Sequence, residues 1–213
     1  MARVTLTIDN GPDPEVTPHV LDVLARRNVR ASFFVLGSAL ADPARRRCAE
    51  RARAEGHWIG NHTYTHAVPF GQNEAPDAVE REVVATERLL GDLAHEERLF
   101  RPFGGGGHLD ERLLSRALVD HLTAEAYTCV LWNAVPRDWE PHDWVSVAVE
   151  QIRASPWSVL VVHDVIPGND RRIDDLLARL EDRGDEVVQA FAPDCVPIRR
   201  GEVVRDVAPF VGR

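Results

Sequence analysis

The chain has 213 residues and a mass of 23.8 kDa, enough for one hydrophobic core, so a single domain over residues 1–213 is expected. With 44% hydrophobic and 28% charged residues it reads as an ordinary globular sequence, which excludes disordered, collagen-like and fibrous classes. The formal charge of −9 disfavours a nucleic-acid partner, and all 25 basic residues are arginines, so a Walker P-loop, a Schiff-base lysine and a Ser-Lys dyad are excluded together.

In chain order, a β-branched run at 4–8 predicts a first strand, followed by a helix over 17–27 that gathers Val20, Leu21, Val23 and Leu24 on one side. A strand at 31–35 precedes a helix over 44–55, opened by Asp42-Pro43 and stopped by Gly56. Then come a strand at 57–60, helices over 77–90 and 110–122, and a strand at 127–132. A helix over 143–152, a strand at 159–163, a helix over 171–180 and a strand at 187–191 complete the pattern. The tail beyond Phe191, rich in Pro and Arg, is expected to pack as irregular structure or a short extra strand. Cys48, Cys129 and Cys195 lie far apart with no C-x-x-C spacing, which predicts reduced, structural thiols. The N-terminus enters a strand pattern at once, and no stretch approaches a membrane span, so a soluble cytoplasmic protein without a membrane partner is expected.

Strand and helix in alternation, with runs such as VLVVH buried on both faces, call for a mostly parallel sheet covered by helices. An open doubly wound sheet and a small or incomplete barrel both satisfy this, and both place the chemistry beyond the carboxyl ends of the strands. Polar residues collect there. Asp9 and Asn10 follow the first strand and are held by the turn-forming Gly11-Pro12. His62 and His66, spaced i and i+4, are able to present two imidazoles to one ion from a helical or turn face. Arg101 begins a turn after Leu99-Phe100, Asp138 and Trp139 share a loop after Trp132, and His163 ends a buried strand. Each feature taken alone has a bland reading. Nine histidines produce about 0.4 H-x-x-x-H pairs by chance, a histidine ending a buried strand is more often structural, and Asp9-Asn10-Gly11-Pro12 suits an Asx-type turn.

Taken together, TIDNGPDPEVTPHVLDVLARRNVRASFFVLG, EGHWIGNHTYTH, FRPFG, RDW and VLVVH resemble the NodB-homology polysaccharide deacetylases, carbohydrate esterase family 4, from Thr5 to about His163. The resemblance implies an α/β fold of the NodB type, a distorted or incomplete (β/α) barrel with a mostly parallel sheet. It implies a hydrolase that removes an acyl group with a water held on a divalent metal, zinc first, with cobalt or manganese as alternatives. Asp9 matches the family's general base, His62 and His66 its imidazole ligands, and His163 its general acid. Arg101 resembles the arginine that holds the base, although RPFG is one residue shorter than the usual wording, and Asp138-Trp139 matches the Asp-Trp motif. Asn10 departs from the pattern, standing where a metal-binding Asp is expected.

Phe103 and Trp139 are expected against the substrate, the oxyanion meeting the metal and the backbone around Phe103. With no export signal, the expected substrate is a soluble intracellular amide, whether an N-acetylated amino sugar, a small N-acyl compound or a cyclic amide, so the expected partner is a small molecule or an oligosaccharide. Trp58, where relatives carry Glu, and the glycines at 104–107 are expected to reshape the pocket away from long glycans. The rival reading is a catalytically inactive carbohydrate- or small-ligand-binding protein that lost its metal through Asn10. The sequence leaves the oligomeric state open.

Overall fold

The computed structural model describes residues 1–212 and shows a mostly parallel sheet curled into a distorted barrel, with helices packed outside it. Along the chain run β1 (Arg3–Asp9), α1 (Thr17–Arg26), β2 (Ser32–Val35), α2 (Gly37–Leu40), α3 (Pro43–Ala54) and β3 (Trp58–Asn61). A π-helical turn, Glu80–Val84, leads into α4 (Ala85–Leu90); β4 (Leu99–Phe100), α5 (Arg116–Ala124), β5 (Thr128–Cys129) and α6 (Trp144–Arg153) follow. The chain continues through β6 (Trp157–His163), α7 (Asn169–Asp182) and β7 (Glu186–Val187), then the antiparallel pair β8 (Ile198–Arg199) and β9 (Glu202–Val203).

The sheet runs β6-β1-β2-β3-β4-β5-β8-β9, with β7 also beside β1. Past β5 the chain returns to the other edge, where Ala134 bridges to Leu160 of β6 and draws the parallel strands into a closed curl. Period-two alternation decides which side chains face inward. In β1, Val4, Leu6 and Ile8 join the layer packed against α1, α6 and α7, while Thr7 and Asp9 face Arg101 within the curl. The closed end is filled by Phe34, Leu99, Val130 and Val159 with Phe191, Cys195 and Val196 from the C-terminal segment. The functional groups therefore collect at the opposite, carboxyl end.

Local sequence accounts for the helix starts. The Asp42 carboxylate accepts from the amides of Ala44 and Arg45 at the start of α3, Ser115 from Leu118 in α5, and Asp143 from Ser146 in α6. Ser115 also explains why α5 begins later than the 110–122 pattern suggests: Asp110 turns the preceding chain by accepting from the Arg112 amide. The strand expected at 127–132 keeps only two ladder residues, because Leu131 donates to the Cys195 carbonyl and Asn133 and Ala134 turn to Val159. The strand expected at 187–191 stops at Val187, after which the chain dives toward the closed end with Phe191. Leu99–Phe100, read as the approach to a turn, is a strand in parallel register with β3 and β5. No helix among the described residues is long and apolar enough to cross a membrane.

Candidate active site

Asp9 closes β1 and lies in register with His163 at the end of β6, so neighbouring parallel strands deliver a carboxylate and an imidazole to the same rim. Arg101, just beyond β4, is fully buried behind them. Its Nη1 donates to Asp9 Oδ1 at 2.9 Å and to Thr7 Oγ1 at 2.6 Å, and its Nε and Nη2 donate to the carbonyls of Val130 and Leu131. The guanidinium stacks on Phe34 at 4.1 Å. Burial pulls the Arg101 pKa down and the Asp9 charge opposes that pull, so each ion answers the desolvation of the other. One Asp9 oxygen is thereby fixed. The other lies 3.6 Å from His62 Nε2.

His62 and His66 sit on a turn after β3. His62 Nδ1 lies 2.9 Å from the Arg101 carbonyl; a carbonyl only accepts, so Nδ1 carries the proton and Nε2 keeps its lone pair. Thr63 and His66 have φ of 70° and 55°, left-handed values that fold the turn back on itself. Three side chains hold that shape. Asn61 Oδ1 accepts from the Thr63 amide, Thr63 Oγ1 accepts from the His66 amide, and Glu82 accepts from the amides of Tyr64 and Thr65. Glu82 comes from the π-helical turn, and the Val83 carbonyl beside it accepts from Asn61 Nδ2. Burial holds both imidazoles neutral, His62 and His66 each lowered to about 3. Neutral imidazole is the form that ligates a metal.

Asn10, with φ of 73°, turns the chain directly after Asp9, and its buried Oδ1 has no hydrogen-bond partner. An orphaned amide oxygen beside two neutral imidazoles fits a divalent cation that takes nitrogen and oxygen donors. Among the described residues no group of three His, Cys, Asp or Glu could hold a metal ion, so such a set depends on the neutral Asn10.

On the third side, His163 Nδ1 lies 2.7 Å from Asp138 Oδ1, while Asp138 Oδ2 accepts from the His163 amide at 2.8 Å and from Asn169 Nδ2 at 2.6 Å. Burial opposes charge on His163, but the hydrogen bond to Asp138 and the nearby carboxylates outweigh it and raise its pKa above 6.5. Trp139, half in solvent, meets the His163 ring edge-on at 5.3 Å.

These groups open into a pocket of about 140 Å³ lined by Asp9, Asn10, His62, His66, Phe103 and His163, with Trp132, Trp139, Val135 and Val161 around them. Arg101 and Asp138 stand behind the lining, each gripping a residue that faces it. The glycines form part of the wall. Gly107 offers its carbonyl to Trp132 Nε1 at 2.9 Å, and a Cβ on Gly104 would lie 2.5 Å from the Trp132 ring, so the loop is seated against the indole. Trp58 is a correction. It opens β3 at the far end of the sheet, packs on His95 and Phe191 at 4.6 and 5.6 Å, and shapes no part of the pocket. Glu82 and Asn169 escaped the sequence reading because their partners, Tyr64 and Thr65 for one and Asp138 for the other, lie far off in the chain, while Asn61 combines a local turn to Thr63 with a distant bond to Val83.

Residues 2–119 match the family Polysaccharide deacetylase. A peptidoglycan-N-acetylglucosamine deacetylase of Bacillus cereus is 30% identical over 177 residues, covering 79% of this chain and 74% of the relative. A chitooligosaccharide deacetylase of Sinorhizobium fredii is 34% identical over 168 residues, covering 77% and 73%. A family 4 acetyl xylan esterase from Clostridium thermocellum, solved in complex with a cobalt ion, superimposes with a TM-score of 0.71 at 26% identity over 87% of each chain.

Proposed function

This chain belongs to the polysaccharide deacetylase family, and on that premise we propose that it is a metal-dependent deacetylase that hydrolyses the acetamido group of an N-acetylated amino sugar or short oligosaccharide. The observation that carries the reading is the meeting, in one pocket, of a carboxylate fixed by a buried arginine with an imidazole whose pKa a second carboxylate raises. The amino-sugar substrate follows the relatives named for peptidoglycan and chitooligosaccharide deacetylation. The pocket, open to solvent beside Trp139, leaves room for the acyl group at its floor. Reduced, unpaired Cys48, Cys129 and Cys195 favour a cytoplasmic setting within this proposal.

Asn10, His62 and His66 would hold the cation, with zinc as the first choice and cobalt or manganese as alternatives. When bound, a divalent ion polarises the acyl oxygen and lowers the pKa of bound water toward about 7. Asp9 takes the proton of the attacking water on Oδ2, the oxygen that Arg101 leaves free. His163, charged through Asp138, gives its Nε2 proton to the leaving nitrogen so that the amine departs neutral. Phe103, packed 4.0 Å from the His66 ring, and Trp139 close the apolar sides around the substrate.

Asn10 alone favours the competing reading of an inactive sugar-binding protein, whereas the two intact ion pairs favour hydrolysis. The test is acetate release from N-acetylglucosamine oligomers by purified protein given zinc, cobalt or manganese, with bound metal measured by elemental analysis. Chelator-sensitive hydrolysis that returns with metal supports the deacetylase. Sugar binding with no acetate release under any metal supports the inactive binder.

A further inference from the structure

We infer that Asn169 is a positioning residue for proton delivery, orienting the Asp138 carboxylate so that one oxygen stays dedicated to His163. This rests on the role proposed for His163 in hydrolysis. Asn169 is 1% exposed, opens α7, and does not line the pocket. Its Nδ2 lies 2.6 Å from Asp138 Oδ2 and 2.9 Å from the His163 carbonyl. Both partners accept hydrogen bonds, so the NH₂ end must face them and both of its hydrogens are used. One small amide thus ties together the carboxylate and the backbone of the imidazole it serves.

The arrangement on Asp138 is a division of labour between its oxygens. Oδ2 takes the His163 amide and Asn169, and Oδ1 is left for His163 Nδ1 at 2.7 Å. That contact fixes the proton on Nδ1 and leaves Nε2 to face the pocket. The neutrality of the donor matters as much as its position. On the other side of the pocket Asp9 is held by a guanidinium, and a cation in the place of Asn169 would cancel the charge through which Asp138 raises the His163 pKa. An amide orients the carboxylate without neutralising it.

The test compares wild type with Asn169→Ala, Asn169→Ser and Asn169→Asp. Two readouts are kcat and KM on N-acetylglucosamine oligomers; the third is the downfield proton resonance of the His163 Nδ1–H bond, which is observable in protein with no activity at all. Asn169→Ala is expected to lower kcat about 10-fold or more with KM within about twofold, and to broaden or shift that resonance. Asn169→Ser, which restores one donor, recovers part of the rate. Asn169→Asp, the same size with an acceptor against Asp138, falls below Asn169→Ala. If Asn169→Ala does not fold, Asn169→Ser carries the comparison, with an intermediate rate expected. A kcat within about twofold of wild type, or a loss confined to KM, overturns the inference, as does a resonance unchanged in every folded variant. An inactive wild type with a resonance that responds to Asn169 would instead sink the deacetylase reading and leave the positioning role standing.

Discussion

His62 and His66 lie on one flank of the pocket and His163 on the other, His62 and His163 buried and His66 half-buried, yet their charges are set in opposite directions. Desolvation lowers all three. On the first flank it prevails: the hydrogen bond to the Arg101 carbonyl opposes it at His62, and Asp9 and Glu82 oppose it at His66, yet both imidazoles drop to about 3. On the second flank Asp138 is held by neutral donors and spends its charge on His163, whose pKa rises. Burial perturbs each histidine, and whether a carboxylate hydrogen-bonds the ring decides which way its pKa moves. Neutral rings suit metal ligation and a protonated ring suits general acid catalysis, so the flanks differ in the way the proposed chemistry needs.

The largest expected effect comes from the carboxylate between the flanks. Asp9→Asn should lower kcat by about 10²–10⁴-fold, the range for a general base, while zinc affinity measured by calorimetry changes far less. It also strands the Arg101 charge, so a stability loss of about 3–5 kcal/mol in urea unfolding should accompany it.

The second flank is probed through pH. Because the folded His163 pKa lies above 6.5, the acid form persists to higher pH and kcat should decline on the alkaline side. Asp138→Asn removes the cause of the rise and leaves burial in charge, so that alkaline limb should move to lower pH and the rate at about pH 7 should fall roughly tenfold or more. A limb that stays in place would mean that another group controls it.

The smallest effect concerns the first flank. Asn10→Asp adds an anionic donor to the two neutral imidazoles and should tighten zinc binding about tenfold by competition against a chelator. Unchanged affinity would remove Asn10 from the ligand set.

Much of this geometry was legible in the sequence because strand ends carry it. Asp9 and His163 end β-branched runs, His62 and Arg101 follow strands, and parallel packing brings such positions to one rim. What escaped depends on tertiary partners. A two-residue strand at Leu99–Phe100 has no period to read, and it exists because Asn61 and Thr128 flank it. Glu82 looks like any surface glutamate until the π-helical turn aims it at the loop between the histidines. Trp58 misled because its place in the motif says nothing about which end of β3 meets the pocket.

The contrast between the flanks is read most directly by ¹⁵N NMR of the histidine side chains in metal-free protein at about pH 6. His62 and His66 should show neutral imidazole, with His62 protonated on Nδ1, while His163 shows imidazolium in the same spectrum. A neutral His163, or charged rings at positions 62 and 66, would contradict the division of roles between the two flanks.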